Sequence, residues 1–455
     1  MSNETVKLAD FCSRLRFEQL PEAVVEKAKD HLLDTLGCAI AGRPMESSRP
    51  VIGLVRSMGG REEALVIGEA LRVPMAQAAF ANGTMAHGVE LDDTHRWTYL
   101  HAGASIVPAT LAVAESRCLG GRELLTAIVA GYEAAIRVAL AVNPSHRRRG
   151  FHTSGTVGTI GATAAASRAM ALDPATTASA LGIGATQAAG LFEFLAEGAM
   201  TKRLHPGRAA QNGVYAALLA SGGFVGPRTI LEGANGFCRA MSDEPDLSSL
   251  TRNLGTEFKI LEMGIKPYAS CRFCHASIDA AREIVATTGP LRPDQIVEVV
   301  DTVSPLNAAQ TGDASPATFM AAQMSTPFSL GLVLAGLGAG FSQYLSGLEN
   351  PGVMEIARKV RLAPEPALGE TGRRVELTVR LADGRSLSSA VDLPSGEPER
   401  PIGRQGLREK FIGLATTTMS RERAERIADE VTAMDRATTL EDLIALIRGA
   451  DEASG

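Results

Sequence analysis

Residues 21–42, with the sequence PEAVVEKAKDHLLDTLGCAIAG, carry apolar side chains every three to four positions. This spacing lines the apolar side chains along one face of a helix, which Pro21 opens and Gly42 closes. Further segments of the first 260 residues repeat the pattern, namely IVPATLAVAESRC (106–118), ELLTAIVAGYEAAIRVALAV (123–142), PATTASALGIGATQAAG (174–190) and AAQNGVYAALLASGG (209–223). The first 260 residues are therefore predicted to be mostly α-helical.

The sequence pattern changes after Lys266. IVEVVDTV (296–303) is rich in β-branched residues, and RVELTVRL (374–381) alternates apolar and polar side chains, so both segments are predicted strands. The turn sequence ADG (382–384) leads from the second strand into SLSSAVDL, which predicts a hairpin. The last 50 residues are helical again, so the mixed region is predicted to be an insertion in a helical domain.

Length and charge exclude several classes of protein. A chain of 455 residues predicts two or three domains. The 45 Lys and Arg residues against 51 Asp and Glu residues give a formal net charge of -6, which does not favour nucleic acid as a partner. The N-terminal residues lack the apolar core of a signal peptide, and the longest apolar stretches are too short to span a membrane. With six cysteines and no export signal, we expect a soluble, cytoplasmic protein with neither a membrane nor a nucleic-acid partner.

The sequence also lacks the common cofactor signatures. It contains no G-x-x-x-x-G-K-[ST], no G-x-G-x-x-G after a strand, no G-x-S-x-G and no H-E-x-x-H. Residues 271–275, CRFCH, match the c-type haem attachment pattern and, in part, a redox C-x-x-C motif. The sequence shows neither an export signal nor a small βαβ unit around this motif, so we interpret the match as chance and expect no cofactor.

The most polar cluster of the chain lies between two predicted apolar helices. It spans residues 87–101 and combines acids with imidazoles, namely His87, Glu90, Asp92, Asp93, Thr94, His95 and His101. A solvated loop is one interpretation, and the lining of a cleft is another. A third is the metal site of a metal-dependent hydrolase, whose ligands would come from His87, Glu90, Asp92, Asp93 and His95.

A second cluster, GFHTSGTVG (150–158), places His152 at the start of a predicted helix. Gly155, Gly158 and Gly161 stand three residues apart on that helix, which predicts a smooth stripe for close packing. The free N–H groups at a helix start favour an anion, so His152 is a candidate functional residue and not only a buried polar contact.

Two further segments concentrate cations. The segment TKRLHPGR (201–208) leads into a predicted helix and carries Lys202, Arg203 and His205. Cations at a helix start oppose the helix dipole, so an anionic ligand explains them better than solvent does. The segment KPYASCRFCH (266–275) lies where the helical region gives way to the mixed one, a common place for a pocket, and carries Lys266, Arg272 and His275.

These four clusters resemble the MmgE/PrpD family. The resemblance covers nearly the whole chain and rests on H-x-x-[DE]-x-D-D-T at 87–94 with H-x-G at 101–103, on 150–158, on TKRLHPGRAAQNG (201–213) and on 266–275, in the family's order. It implies a mainly α fold with an α+β second domain and a homodimer. The implied domains are a large all-helical domain (1–263), a smaller α+β lid domain (264–399), and C-terminal helices that rejoin the helical domain (400–455).

The resemblance also implies an active cleft. The residues that match the family's cleft are Thr94, His101, His152, Lys202 and His275. Two positions depart from the family's pattern. Relatives generally have Asp where this chain has Glu90, which is one methylene longer, and decarboxylase-like relatives have Tyr where this chain has Leu332.

Members of this family resemble one another in acting on small di- or tricarboxylates beside a carboxylate, without a required metal. Removing a proton from the α-carbon builds negative charge that cations must neutralise, and the candidate substrate-binding groups are Lys202, Arg203, His205, Lys266 and Arg272. His101 and His152 are predicted to share the proton transfers near neutral pH. The other candidate catalytic groups are Glu90, Thr94, Lys202 and His275.

The predicted function is a cofactor-independent lyase, similar to 2-methylcitrate dehydratase, acting on a small polycarboxylate. An epimerase or isomerase is the first alternative, because Leu332 removes a candidate proton donor, and a decarboxylase of a related polycarboxylate is another. From other classes, the metal-dependent hydrolase and a carboxylate-binding protein without catalytic activity stay open.

Overall fold

The computed structural model of the chain describes residues 3–369 and 371–449. By its internal contacts the chain divides into two units: a first unit made of residues up to 264 and from 404 onward, and a second unit of residues 265–403. The predicted domain ranges also include residues 1, 2, 370 and 450–455, which lie outside the described residues.

The regular secondary structure of the N-terminal part of the first unit is mostly helical. Its helices are α1 (Glu4–Arg14), α2 (Glu22–Gly42), α3 (Arg49–Met58), α4 (Met75–Ala86), α5 (Gly103–Ser116), α6 (Gly121–Val142), α7 (Ser145–Arg148), α8 (Thr153–Ala169), α9 (Pro174–Thr186), α10 (Phe194–Glu197), α11 (Thr201–Ser221) and α12 (Phe237–Met241). Its strands are β1 (Ala64–Leu65), β2 (Arg72–Val73), β3 (Thr94–His95) and β4 (Met263–Gly264). β1 pairs with β2 and β3 with β4, both antiparallel. All five predicted helical segments lie in helices, so the prediction of a helical first part is confirmed.

Helices α4, α5, α6, α8 and α11 form the centre of the first unit and pack through small residues. A Cβ atom added to Gly158 of α8 would lie 2.8 Å from the Ser105 Oγ of α5, and one added to Gly161 would lie 2.7 Å from the Ala135 Cβ of α6. The predicted close packing along the glycine stripe is therefore confirmed. α6 is the described helix with the length and hydropathy of a membrane span, but 94% of that stretch is buried, as expected of a helix in a protein core.

The second unit combines helices with one small sheet. Its elements are α13 (His275–Thr288), β5 (Ile296–Val303), α14 (Pro305–Thr311), α15 (Phe319–Gln323), α16 (Thr326–Leu334), α17 (Phe341–Gly347), α18 (Pro351–Arg358), β6 (Val360–Pro364), β7 (Val375–Leu381) and β8 (Ser386–Val391). The strand order is β6-β5-β7-β8, with β5 and β6 parallel and the other pairs antiparallel. The predicted strands and hairpin are confirmed, and so is the mainly α fold with an α+β part.

The C-terminal helices are α19 (Gly403–Ala415), α20 (Arg421–Thr432) and α21 (Glu441–Ile447). From residue 404 they belong to the first unit, where they pack beside α2. Lys29 of α2 lies 2.5 Å from Asp435, and Lys410 of α19 contacts Asp34 of α2 and donates to the backbone carbonyl of Leu91 at 2.6 Å. The last helices therefore hold the segment that connects α4 to α5.

Candidate functional site

The segment between α4 and α5, residues 87–102, carries the first polar cluster. Its middle is fixed by the pairing of Thr94 with Gly264 in the β3–β4 ladder. The His95 ring is held on both sides, with Nδ1 2.9 Å from Thr98 Oγ1 and Nε2 3.3 Å from Glu262 Oε2. Thr94 is buried, and His95 has a structural set of partners of its own.

Asp93 orients His101. The carboxylate of Asp93 accepts from the Gly103 N–H at 3.0 Å and from the Tyr132 hydroxyl at 2.6 Å, and it lies 3.1 Å from His31 Nδ1. Burial opposes ionisation, but these donors outweigh it and lower the pKa of Asp93 below its usual value. The backbone carbonyl of Asp93 accepts from His101 Nδ1 at 2.7 Å. The neutral His101 ring therefore carries its proton on Nδ1, which makes Nε2 the basic nitrogen.

Four imidazoles meet in the first unit, and we call them the imidazole cluster: His87, His101, His152 and His205. The ring centre of His87 lies 5.0 Å from that of His101 and 6.0 Å from that of His152, which lies 5.1 Å from that of His205. The four rings come from distant parts of the chain: the ends of the 87–102 segment, the residue before α8, and the second turn of α11.

Hydrogen bonds give the four rings different roles. His87 Nδ1 donates to Asp92 Oδ2 at 2.6 Å, whereas His152 Nδ1 lies 2.9 Å from His205 Nδ1, so that one of these two rings donates to the other. Burial first, and then the charges of His87, His205 and Lys202, lower the pKa of His152 well below its usual value. Burial and then His87 also lower the pKa of His205 to about 4. The His152–His205 pair is therefore neutral near pH 7.

The cations at the start of α11 have an acidic partner within the chain. Lys202 Nζ lies 2.6 Å and 2.5 Å from the two carboxylate oxygens of Glu90, and Arg203 Nη1 lies 3.3 Å from one of them. All three side chains are buried. The sequence pattern predicted an anionic ligand as the reason for these cations. Glu90 already supplies one negative charge at this helix start, so the excess charge of the group is one positive charge.

The five predicted metal-binding side chains do not converge on one point. Glu90 pairs with Lys202, Asp93 with Tyr132 and His31, and His95 with Thr98 and Glu262. The prediction that these five side chains form one metal site is therefore wrong.

Another combination, His87, Asp92 and His101, brings donor atoms within 4.8 Å of one another, a spacing that a cation could use. Hydrogen bonds occupy one nitrogen of each ring, because His87 Nδ1 donates to Asp92 Oδ2 and His101 Nδ1 donates to the Asp93 carbonyl. The arrangement is that of a hydrogen-bonded network.

Lys266, Arg272 and His275 lie in the second unit and are all buried there. The Arg272 guanidinium lies 3.0 Å from Glu397 Oε1, and its Nη1 lies 2.9 Å from His275 Nδ1. The other ring nitrogen, Nε2, donates to the Ser270 carbonyl at 3.2 Å. Burial first, then the Arg272 and Lys266 charges, lower the pKa of His275 well below its usual value. His275 is thus a neutral imidazole with partners on both nitrogens.

Two other predictions concern the second unit. Cys271 and Cys274 are free thiols, and burial strongly raises the pKa of Cys274, which favours the unreactive thiol form. Leu332 is fully buried in α16, where a Cβ atom added to Gly347 would collide with its side chain. The position that holds a tyrosine in decarboxylase-like relatives is a core position here.

Several residues that support these clusters were not predicted from the sequence, namely His31, Tyr132, Ser154 and Glu397. His31 and Tyr132 are buried among the apolar side chains of α2 and α6, and a polar residue at such a position is a usable sequence signal. Ser154 Oγ accepts from the His101 N–H at 3.0 Å. Glu397 lies in the Pro- and Gly-rich segment after β8 and has no comparable signal.

Comparison with known proteins matches two family models across this chain. The MmgE/PrpD N-terminal domain matches residues 6–250, and the MmgE/PrpD C-terminal domain matches residues 268–436. Among similar proteins, the cis-aconitate decarboxylase of Aspergillus terreus is 27% identical, with 98% of this chain and 96% of the relative covered. A cis-aconitate decarboxylase-like protein of Aspergillus oryzae is 28% identical, with 98% of each covered. The human cis-aconitate decarboxylase is 26% identical, with 96% of this chain and 92% of the relative covered.

Proposed function

Because the chain belongs to the MmgE/PrpD family, we propose that it is a cofactor-independent lyase that acts on a small di- or tricarboxylate by proton transfer next to a carboxylate. One observation carries the proposal: the imidazole cluster, in which His87 and His152 are buried, lies in the same unit as the Lys202, Arg203 and Glu90 group, which has one excess positive charge. Proton transfer next to a carboxylate needs cations, which stabilise the negative charge, and neutral imidazoles, which accept the proton.

In this proposal, the group of Lys202, Arg203 and Glu90 stabilises the negative charge of the substrate. A carbanion beside a carboxylate carries two negative charges, so its formation requires fixed positive charge in a water-poor site. Lys202 is buried and tied to Glu90 at 2.6 Å, and the charges of His87, His205 and Lys202 all act on His152. These groups stabilise an anionic substrate most strongly when its negative charge increases in the transition state. Such preferential stabilisation of the transition state is the condition for catalysis.

The imidazoles serve the proton transfers. His152 is neutral and can accept a proton from the α-carbon, with His205 as its hydrogen-bond partner. His101, with Nδ1 held by the Asp93 carbonyl, presents Nε2 as a second basic nitrogen. Thr94 lies on the same segment and is a candidate to contact the substrate. His275 stays a predicted catalytic residue on the resemblance, and Lys266 and Arg272 stay predicted substrate-binding cations.

For the reaction type we propose dehydration of the 2-methylcitrate dehydratase kind. The buried Leu332 supports it, because this core position supplies no phenol for a decarboxylase-like proton transfer. The names of the relatives support decarboxylation of cis-aconitate as the second candidate. Epimerisation begins from the same carbanion and is the third outcome that the assay distinguishes.

The test is proton NMR in deuterated buffer with citrate, 2-methylcitrate, cis-aconitate and tartrate. We expect at least one acid to lose water, lose CO₂ or exchange its α-proton. The substitution His152→Gln should abolish the exchange, because glutamine cannot accept the proton. If exchange continues, the base is another residue. If none of the acids reacts, or if the protein holds stoichiometric metal and a chelator removes its activity, the proposed function is wrong.

We also propose a homodimer, as the family resemblance implies, and a cytoplasmic location, which the six free cysteines favour. Light scattering during size-exclusion chromatography would measure the mass in solution. A mass near 48 kDa would correspond to one chain of 47.7 kDa and would contradict the dimer.

A further inference from the structure

His87 differs from His95, His146 and His275 in the way its ring is bonded, and His31 is another buried histidine whose Nε2 has no partner among the described residues. The rings of His95, His146 and His275 are each held at both nitrogens. His87 is fully buried at the C-terminal end of α4, and its Nδ1 donates to Asp92 Oδ2 at 2.6 Å. Its Nε2 has no hydrogen-bond partner among the described residues.

An unpaired nitrogen in the protein interior is costly. A buried polar group without a hydrogen bond loses about 1–3 kcal/mol relative to a paired one. A role in the core alone would be served better by two-sided bonding such as that of His146, whose Nδ1 donates to the Met241 carbonyl and whose Nε2 pairs with Thr156 Oγ1. The unpaired Nε2 of His87 lies within the imidazole cluster, 5.0 Å and 6.0 Å between ring centres from His101 and His152. A ligand atom in the site is the natural partner.

His87 also has the partner that best supports a positive ring. Asp92 is fully buried, and its carboxylate lies 2.6 Å from His87 Nδ1 but 3.7 Å from His101 Nδ1. His152 has His205 instead of an acid as its partner, and His101 has a backbone carbonyl. A carboxylate at hydrogen-bond distance stabilises an imidazolium more than a neutral partner does. The titratable groups that face His87 are Asp92, His101, His152 and His205, and the charge of Lys202 acts on His152.

We propose that His87, held by Asp92, is the proton donor of the site, working opposite the neutral His152–His205 pair. This proposal rests on the proposed function and adds the residue that returns the proton. In dehydration, His152 takes the α-proton, the C–O bond breaks, and His87 Nε2–H protonates the departing hydroxyl, so that water leaves. In decarboxylation, the C–C bond breaks and the same proton goes to the carbon that keeps the electron pair. His87 then regains a proton from solvent or from His152.

The variant His87→Asn tests the proposal. Its amide N–H can still donate to Asp92 in place of Nδ1, but the side chain carries no transferable proton. We expect kcat to fall by about 100-fold or more, which is the usual contribution of a positioned acid, with KM changed by less than about threefold. For a dehydration substrate, deuterium exchange at the α-carbon should persist, because the base is intact. The matched control, His146→Asn, replaces another fully buried histidine and should leave the ratio of exchange to turnover unchanged.

A second measurement is independent of turnover. Nitrogen-15 NMR of histidine-labelled protein reports which ring nitrogens carry protons, and the spectrum of His87→Asn assigns the His87 signals. We expect His87 Nδ1 to carry the proton that it donates to Asp92, and Asp92→Asn to shift the His87 signals. The His152 ring should be neutral in both proteins.

The results separate this proposal from the proposed function. An enzyme that turns over an acid of the panel, but whose His87→Asn variant keeps kcat within about twofold, would contradict the role of His87 alone. A wild-type protein in which His87 Nδ1 carries no proton would also overturn it, whether or not a substrate has been found. If no acid of the panel reacts, the proposed function fails.

Discussion

Glu90 adopts an unusual backbone conformation that allows its side-chain contacts. Its φ of +59° lies in the left-handed region, which costs a non-glycine residue on the order of 1 kcal/mol. The conformation places its carboxylate 2.5 Å from Lys202 Nζ and 3.3 Å from Arg203 Nη1. The family resemblance implies the shorter Asp at this position in relatives. In this chain, the longer side chain of Glu90 forms a close ion pair with Lys202.

The substitution Lys202→Ala should therefore have two effects. The KM for a polycarboxylate should rise about tenfold or more, because a charge-assisted contact is lost. The free energy of unfolding should fall by about 2 kcal/mol, less than for a buried charge left alone, because Arg203 still lies near Glu90. Steady-state kinetics and urea unfolding measure the two effects. Lys7→Ala, which breaks a pair whose lysine is 58% exposed, is the control and should change neither. Unchanged KM and kcat in Lys202→Ala would exclude Lys202 from the site.

At the scale of elements, the distance between α4 and α11 depends on a glycine. A Cβ atom added to Gly207 of α11 would collide with Thr84 Oγ1 and lie 2.5 Å from the Phe80 carbonyl oxygen, both in α4. α4 ends beside His87, and α11 carries Lys202 and His205. The close approach of the two helices therefore sets the spacing of groups that the proposed chemistry uses together.

Gly207→Ala should force these helices apart. We expect a loss of about 1–3 kcal/mol in unfolding free energy from overpacking, together with a lower kcat, because His87 and His205 move relative to each other. Gly53→Ala is the matched control within α3, where nothing lies within 4 Å of the added atom. The control should be more stable by about 0.5–1 kcal/mol, since alanine favours a helix over glycine. Thermal unfolding and kinetics measure both variants, and a Gly207→Ala enzyme as stable as the wild type would contradict the packing argument.

The sequence predicts those features of the fold that have a local cause, such as the spacing of apolar side chains along one element. The helix at 22–42 and the strand at 296–303 follow from the spacing of apolar side chains, because burying one face imposes a period on the sequence. Two-residue strands such as β3 are too short to leave a pattern, so the pairing of Thr94 with Gly264 was not predicted. α11 begins at Thr201 and contains Pro206, so the cations form its first turns and do not precede the helix.

The supporting contacts of the site were harder to predict, because they join residues far apart in the chain. Glu90 and Lys202 are 112 residues apart, and Asp93 meets Tyr132 across 39 residues. No local spacing records which residue of one segment will face which residue of another. The motifs gave the residue types of the imidazole cluster, but the tautomer of His101 and the partner of His87 required the structure.

At the scale of the whole molecule, stability depends on pH through a carboxyl group in the second unit. Burial raises the pKa of Asp301, on β5, to about 7, and Ser277 opposes that rise only in part. The folded protein therefore keeps a proton that the unfolded chain releases near pH 4. The stability from this group is complete below about pH 4 and is lost as the pH rises through about 7.

Asp301→Asn should remove this dependence. Relative to the variant, the wild-type protein should lose about 2 kcal/mol of unfolding free energy between pH 5 and pH 8. Urea unfolding followed by circular dichroism at both pH values measures the difference. Asp392→Asn, at a side chain that is 79% exposed in the same unit, is the control and should follow the wild type. Parallel curves for wild type and Asp301→Asn would show that Asp301 is ionised in the folded protein.

The last helices of the chain complete a unit that begins at the N-terminus. Lys410 and Asp435 contact α2, and Lys410 also binds the Leu91 carbonyl beside His87. During translation, the residues of the second unit leave the ribosome before this final piece is made. A nascent chain stalled before residue 404 would hold an unfinished first unit, with the apolar surface of α2 open to chaperones. We therefore expect newly made protein to become active only after residues 404–447 have emerged from the ribosome.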